Sequence, residues 1–152
     1  MGLFLVVVSL ATGSFITALR AQRASVELMA INDNANLTLE IMAREIRTGT
    51  GFSSLNPNEL KFTNYLAQLV VYRFNPTIGV IEKSINGGGS FEPVTATNVN
   101  VKNLIFRVSG EVFGDATQPR VTIGIAIAGR TKTLEDVVTN IETTISPRIL
   151  DS

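Results

Sequence analysis

The hydrophobic pattern of this chain changes character twice. Met1 to Leu19 reads MGLFLVVVSLATGSFITAL, without one charged side chain, and 13 of those 19 residues are apolar. At about 1.5 Å of rise per residue such a helix spans roughly 28 Å, close to the roughly 30 Å hydrocarbon layer of a bilayer. Beyond Arg20 and Arg23 the apolar positions become one-sided: Leu28, Ile31, Ala35, Leu39, Met42 and Ile46 recur at intervals of 3, 4, 4, 3 and 4. That spacing is the stripe of an amphipathic helix. Glu40 and Arg44 stand in the favourable i, i+4 order, and Thr48-Gly49 follows a basic last turn. The pattern therefore predicts one helix from about Gly2 to Arg47.

From Phe52 the period shortens to that of strands, punctuated by Pro57, Asn75-Pro76, the Asn86 to Gly89 run and Gly114-Asp115. Strands are expected at about 59–63, 67–74, 78–84, 101–109, 119–128 and 136–145. The clearest is Arg120 to Ala128, where Val121, Ile123, Ile125 and Ile127 alternate with Thr122, Gly124, Ala126 and Ala128, giving one bulky and one small face. Val99, Val101, Ile105 and Arg107 show weaker alternation, broken around Leu104-Ile105-Phe106, which suggests a bulge or a strand buried on both sides. The fold class that follows is α+β: a long N-terminal helix, membrane-spanning and then amphipathic, packed on an antiparallel β-sheet. Its parts are the membrane half of the helix (1–19), the amphipathic half (20–49) and a β head (50–152). The expected helix–sheet core is Leu28, Ile31, Leu39, Met42 and Ile46 against Val121, Ile123, Ile125 and Ile127. A coiled coil is the rival for the second half of the helix, but its pattern lasts under three heptads.

Ser9, Thr12, Gly13, Ser14 and Thr17 dilute the hydrophobicity of the first segment. Ser9, Gly13 and Thr17 fall at i, i+4 and i+8 on one face, and small faces of this kind let helix backbones approach closely. With Leu5 and Ile16 they are the candidate packing residues of the membrane half.

Composition narrows the chemistry. Of 152 residues 17% are charged, with formal net charge zero, so no basic patch points to nucleic acid. The chain has no Cys and no His, which removes disulfides, zinc sites, thiol nucleophiles and the usual general base. None of Lys61, Lys83, Lys102 and Lys132 sits in a Ser-x-x-Lys setting, and Gly87-Gly88-Gly89 lacks the Lys-Ser or Lys-Thr that a phosphate loop needs. Neither an enzyme nor a cofactor is expected.

The order of segments resembles the type IV pilin-like family, and within it minor pilins and pseudopilins of the J or W kind. The resemblance rests on Leu39-Glu40-Ile41-Met42-Ala43-Arg44-Glu45-Ile46-Arg47-Thr48-Gly49 at the helix end. It continues through Val70-Val71-Tyr72-Arg73-Phe74, Asn98-Val99-Asn100-Val101, Leu104-Ile105-Phe106-Arg107 and Pro119-Arg120-Val121-Thr122-Ile123. Ile141-Glu142-Thr143-Thr144-Ile145-Ser146-Pro147-Arg148 closes it. Family members begin with a basic leader, a Gly at the cleavage point, an aromatic residue or Met, and a Glu shortly after. Here Leu5 stands in the apolar run and no acid precedes Glu27, so the leader and first mature residues are expected upstream of Met1.

The resemblance implies a structural subunit of a type IV pilus, a type II secretion system or a related filament. Its partners would be the inner membrane, other pilins or pseudopilins, and a prepilin peptidase acting on the precursor. The head would lie in the periplasm or outside the cell, although Arg20 and Arg23 read alone favour a cytoplasmic head unless a basic leader precedes them. Some pilin-like heads hold calcium through loop carboxylates; Glu111 and Asp115 share one loop here, and Glu135 and Asp136 another, but such pairs are ordinarily just solvated. The alternative class is a secreted or membrane-anchored β-rich binding domain whose apolar start is a signal segment or anchor.

Overall fold

The computed structural model describes residues 2–110 and 118–148. Among the described residues one unbroken α-helix, α1 (Gly2–Arg47), is followed by eight strands: β1 (Thr50–Ser53), β2 (Glu59–Thr63), β3 (Leu69–Asn75), β4 (Val80–Ser84), β5 (Glu92–Pro93), β6 (Val99–Ser109), β7 (Arg120–Gly129) and β8 (Thr139–Ile145). The chain is therefore α+β, with an apolar N-terminal helix.

The strands form two antiparallel sheets rather than the single expected one: five strands in the order β1-β2-β3-β4-β5, and three in the order β6-β7-β8. Local turn chemistry explains the meander of the first. Asn64 Oδ1 accepts from the amides of Leu66 and Gln68, both at 3.0 Å, closing the β2–β3 turn. Asn75 Oδ1 accepts from Thr77 N at 3.1 Å at the β3–β4 turn. Asn86 Oδ1 accepts from Gly89 N and Ser90 N at 2.9 and 3.0 Å, so the glycine run is a turn held by an asparagine.

The break in the β6 pattern is a bulge, placed two residues before the position the alternation suggests. Val101 pairs with Ile127 but Asn103 pairs with Ala126, which leaves Lys102 as an extra residue. The insertion switches the inward set from odd to even positions, so Val99 and Val101 are buried and then Leu104 and Phe106. β1 and β5, absent from the expected strands, are four and two residues long. β8 starts at Thr139 because residues 136–138 belong to the preceding loop.

The helix stripe lies on β6, β7 and β8, and the first sheet closes over its C-terminal end. Ile31, Leu39, Met42 and Ile46 are buried with Val121, Ile123, Ile125 and Ile127, so the bulky face of β7 meets the helix. Leu28 is only half-buried, at the margin of this core. Leu60, Phe62, Val70, Tyr72 and Ile81 complete it from the first sheet. Each such large apolar side chain contributes about 1.5–3 kcal/mol on burial.

The two sheets are stitched where they meet. Val101 N donates to Gly79 O at 2.9 Å, Phe106 N to Pro57 O at 2.7 Å and Asn58 Nδ2 to Leu104 O at 2.7 Å. Gly79 has φ +62°, and a Cβ there would run into the Asn100 side chain and stand 3.3 Å from Val101 O. Nearer the apolar half of the helix, Thr131 Oγ1 donates to Glu27 Oε1 at 2.9 Å and Asn34 Nδ2 to Asn98 Oδ1 at 2.9 Å.

Candidate functional site

Residues 2–23 of α1 are exposed throughout, and Ala24 is the first that packs against the head. The bare part is roughly 33 Å of helix at about 1.5 Å per residue. It contains an 18-residue stretch of mean hydropathy 2.1, none of it buried, which is long and apolar enough to cross a membrane. Leu3, Phe4, Leu5, Leu10 and Phe15 are each at least 65% exposed, an arrangement that water alone does not favour.

Two of its hydroxyls are satisfied internally. Thr12 Oγ1 donates to Val8 O at 2.8 Å and Thr17 Oγ1 to Gly13 O at 2.9 Å, so both hydroxyl protons are bonded before any partner arrives. Ser9, Gly13 and Thr17 share one face with Leu10 and Ala21, around a shallow depression of about 590 Å³. Leu5 and Ile16 flank it, both exposed.

A second surface lies 20 residues further on. Leu37, Glu40, Ile41, Arg44 and Thr48 on α1, with Tyr65 from the β2–β3 turn and Lys83 on β4, line an open groove of about 580 Å³. Leu37, Ile41 and Tyr65 are 56%, 51% and 72% exposed. Below it lies Glu45, whose carboxylate takes the Tyr72 hydroxyl at 2.6 Å, Lys83 Nζ at 2.9 Å and Asn64 Nδ2 at 3.2 Å. Partial burial pushes the Glu45 carboxyl upward. The hydrogen bonds from Lys83, Tyr72 and Asn64, with the Lys83 charge, outweigh that and hold it below the ordinary carboxylate value. Burial, and then the Glu45 hydrogen bond and charge, push the Tyr72 phenol well above its ordinary value, so it stays a donor.

No family model, curated protein or solved structure matches this chain.

Neither the Glu45 cluster nor the groove is among the residues expected from sequence. Two signals for them exist. Glu45 sits three residues after buried Met42 and seven after buried Thr38, on the inward side of the helix. Val26, Met29, Leu37 and Ile41 are apolar at helical spacing off the buried stripe, and all four are more than half exposed. Glu135 and Asp136 are exposed, while Glu111 and Asp115 lie outside the described residues. Among the described residues no group of three or more His, Cys, Asp or Glu is placed to hold a metal ion.

Proposed function

We propose that the chain is a structural subunit of a type IV pilin-like filament, a minor pilin or pseudopilin of a pilus, type II secretion or related system. The subunit waits in the inner membrane with residues 2–19 in lipid and its head in the periplasm or outside, and is then drawn into a filament whose core is built of such helices. The observation that carries this reading is the division of one continuous 46-residue helix into a bare apolar half and a half seated on the head. A bundle of like helices offers the bare half an environment as apolar as lipid, so exchange between the two costs little. The internally bonded hydroxyls of Thr12 and Thr17 suit both surroundings.

The test is to express the full-length gene with and without its prepilin peptidase and to read the mature N-terminus by mass spectrometry. Peptidase-dependent cleavage just before an aromatic residue or Met, with N-methylation, is the expected result. Cleavage between Leu19 and Ala24, or none, overturns the proposal and leaves a secreted or membrane-anchored β-rich domain.

A further inference from the structure

We propose that the end of the head facing the bare half of α1 carries a site for the phosphate of an anionic phospholipid, built around Arg130 and Lys102; this rests on the membrane placement proposed above. Three observations carry it.

The site lies where the head meets the apolar half of the helix. In the second sheet β6 and β7 pair from Val99 with Gly129 at one end to Ser109 with Arg120 at the other. The second of these ends belongs to the C-terminus of α1, since Arg148 N, just past β8, donates to Arg47 O at 3.0 Å. The first belongs to the bare half: Gly129 runs against Ile31, and Thr131 Oγ1 donates to Glu27 Oε1 at 2.9 Å. Glu27 is eight residues past Leu19, about 12 Å along the axis. The headgroup layer outside the hydrocarbon is about 5–8 Å deep, so a span ending at Leu19 sets this end of the head within a long side chain's reach of the phosphates.

Arg130 is a fixed cation there. Its Nε donates to Val99 O at 3.2 Å, and its Nη2 donates to Ile78 O at 2.8 Å and Gly79 O at 3.3 Å. The guanidinium is thereby pinned between the β3–β4 turn and the start of β6, with its Nη1 group left over to donate to a ligand. Neutral carbonyls orient it without cancelling its charge. Among the described residues the ion pairs are Arg44–Glu40, Arg73–Glu82 and Lys83–Glu45, so no carboxylate cancels it either. Arg130 borders a depression of about 390 Å³ whose other charged side chain is Lys102, the extra residue of the β6 bulge, and to which Thr77 and Asn100 add a hydroxyl and an amide. The acids of this end, Glu27, Asp33, Glu135 and Asp136, stand on the helix and in the loop after β7, and none of them lines the depression. Two cations with neutral donors around one hollow are the chemistry of phosphate binding.

The rim of the depression favours a lipid over a free ion. Pro76 and Ile78 border it and are exposed, and Val137 and Val138 are exposed in the loop that Thr131 ties to the helix. A free phosphate gains nothing from such side chains, whereas the glycerol and first methylenes of a lipid do. Arg20 and Arg23, exposed and directly after the apolar run, fall at the same headgroup level.

The chain lacks cysteine, so single thiols report without background. The full chain with Ile78→Cys is reconstituted into vesicles of phosphatidylcholine, alone or mixed with phosphatidylglycerol, and its outward-facing heads are labelled with an uncharged water-soluble maleimide. Labelling is expected to be about fivefold or more slower in the anionic vesicles, while Leu55→Cys in the exposed β1–β2 turn is labelled equally in both. Arg130→Gln is expected to remove this protection. Because that change also loosens the turn, Lys102→Gln is the companion: its side chain is exposed, and it is expected to remove most of the protection with an unchanged melting curve. Equal labelling of Ile78→Cys in the two kinds of vesicle, with Phe15→Cys protected in both, overturns the phosphate site and leaves the membrane reading standing. Inorganic phosphate over phosphatidylcholine vesicles slowing the reaction as much as phosphatidylglycerol does overturns the lipid as its source. Phe15→Cys labelled as fast as Leu55→Cys takes the helix out of the lipid and overturns both.

Discussion

The Tyr72 hydroxyl donates to the Glu45 carboxylate at 2.6 Å, and this one bond ties the end of the helix to the centre of the first sheet. Tyr72 is fully buried on β3, its ring centroid 6.2 Å from that of Phe62, which in turn stacks on Phe52 at 5.5 Å. The helix stripe itself lies on the other sheet, so polar contacts supply what apolar area does not at this junction. Tyr72→Phe keeps the ring stack and removes the donor. It is expected to cost about 1.5–3 kcal/mol in denaturant unfolding, the range for a hydrogen bond to a charged group.

The same cluster sets a dependence on pH. The Glu45 carboxyl is lowered on folding, so its contribution is present above its ordinary value of 4.5 and is lost as pH falls through the folded value. Glu82 behaves alike. Burial raises its carboxyl, but hydrogen bonds from Asn75 and Arg73 and the Arg73 charge lower it further. Tyr72 acts at the other end: its phenol is raised on folding, so its contribution is present below 10.0 and is lost as pH rises beyond that. The melting temperature is expected to fall on the acid side below 4.5 and on the alkaline side above 10.0. Glu45→Gln should flatten the acid limb, and an acid limb unchanged in that variant would remove Glu45 as its cause.

Gly49 illustrates a residue whose reason for being glycine lies far away in sequence. Its backbone is not left-handed, and the helix end is closed by Thr48 N and Gly49 N donating to Glu45 O and Ile46 O at 3.3 and 3.0 Å. A Cβ at this position would stand 2.5 Å from Phe62 Cδ2 and 3.2 Å from Thr63 O. Phe62 is fully buried, so its ring has little room to yield. Gly49→Ala is expected to cost about 1–3 kcal/mol by overpacking, measured by thermal melting. Gly124→Ala is the contrast, because a Cβ there meets nothing within 4 Å; it should lie within about 0.5 kcal/mol of the parent.

These positions separate what the sequence carries locally from what it does not. The helix was readable because a sustained 3.6-residue period needs no partner to be visible, and β7 because Val121, Ile123, Ile125 and Ile127 alternate without interruption. The partition into two sheets was not readable, since it depends on pairings between strands far apart in the chain, and β5 is only Glu92 and Pro93. The groove is hidden in the sequence for a different reason. Leu37 and Ile41 belong to a second, uncovered stripe, and a helix with two apolar stripes reads as one noisy stripe until the fold shows which of them is covered.

The bulge at Lys102 gives a prediction that sequence alone would invert. The Lys102 side chain is exposed, and replacing it by Ala should change stability by no more than about 0.5 kcal/mol. Deleting the residue closes the bulge without turning any side chain over. Asn103 then follows Val101 directly, and Val99, Val101, Leu104 and Phe106 fall at alternate positions that all keep facing inward, opposite Gly129, Ile127, Ile125 and Ile123. The deletion is expected to keep a cooperative unfolding transition and to cost no more than about 3 kcal/mol, the range of ordinary single changes, measured by denaturant unfolding.

The division of α1 makes a last prediction about where the head begins. No side chain of residues 2–23 is buried, and the first contacts with the head come from Ala24 and from Glu27, which accepts from Thr131 at 2.9 Å. A chain beginning at Ala24 should therefore fold as a soluble head and unfold within about 0.5 kcal/mol of the full chain in mild detergent, since it loses only exposed surface. Starting at Asn32 instead removes Ile31, which is 1% exposed and touches the position where Gly129 runs close to the helix. That second truncation should cost about 2–5 kcal/mol, the range for emptying a core site of this size. If the two truncations unfold at the same denaturant concentration, the helix is not seated where its buried stripe begins; if the shorter one alone is destabilised, the bare half is an appendage with no part in holding the head together.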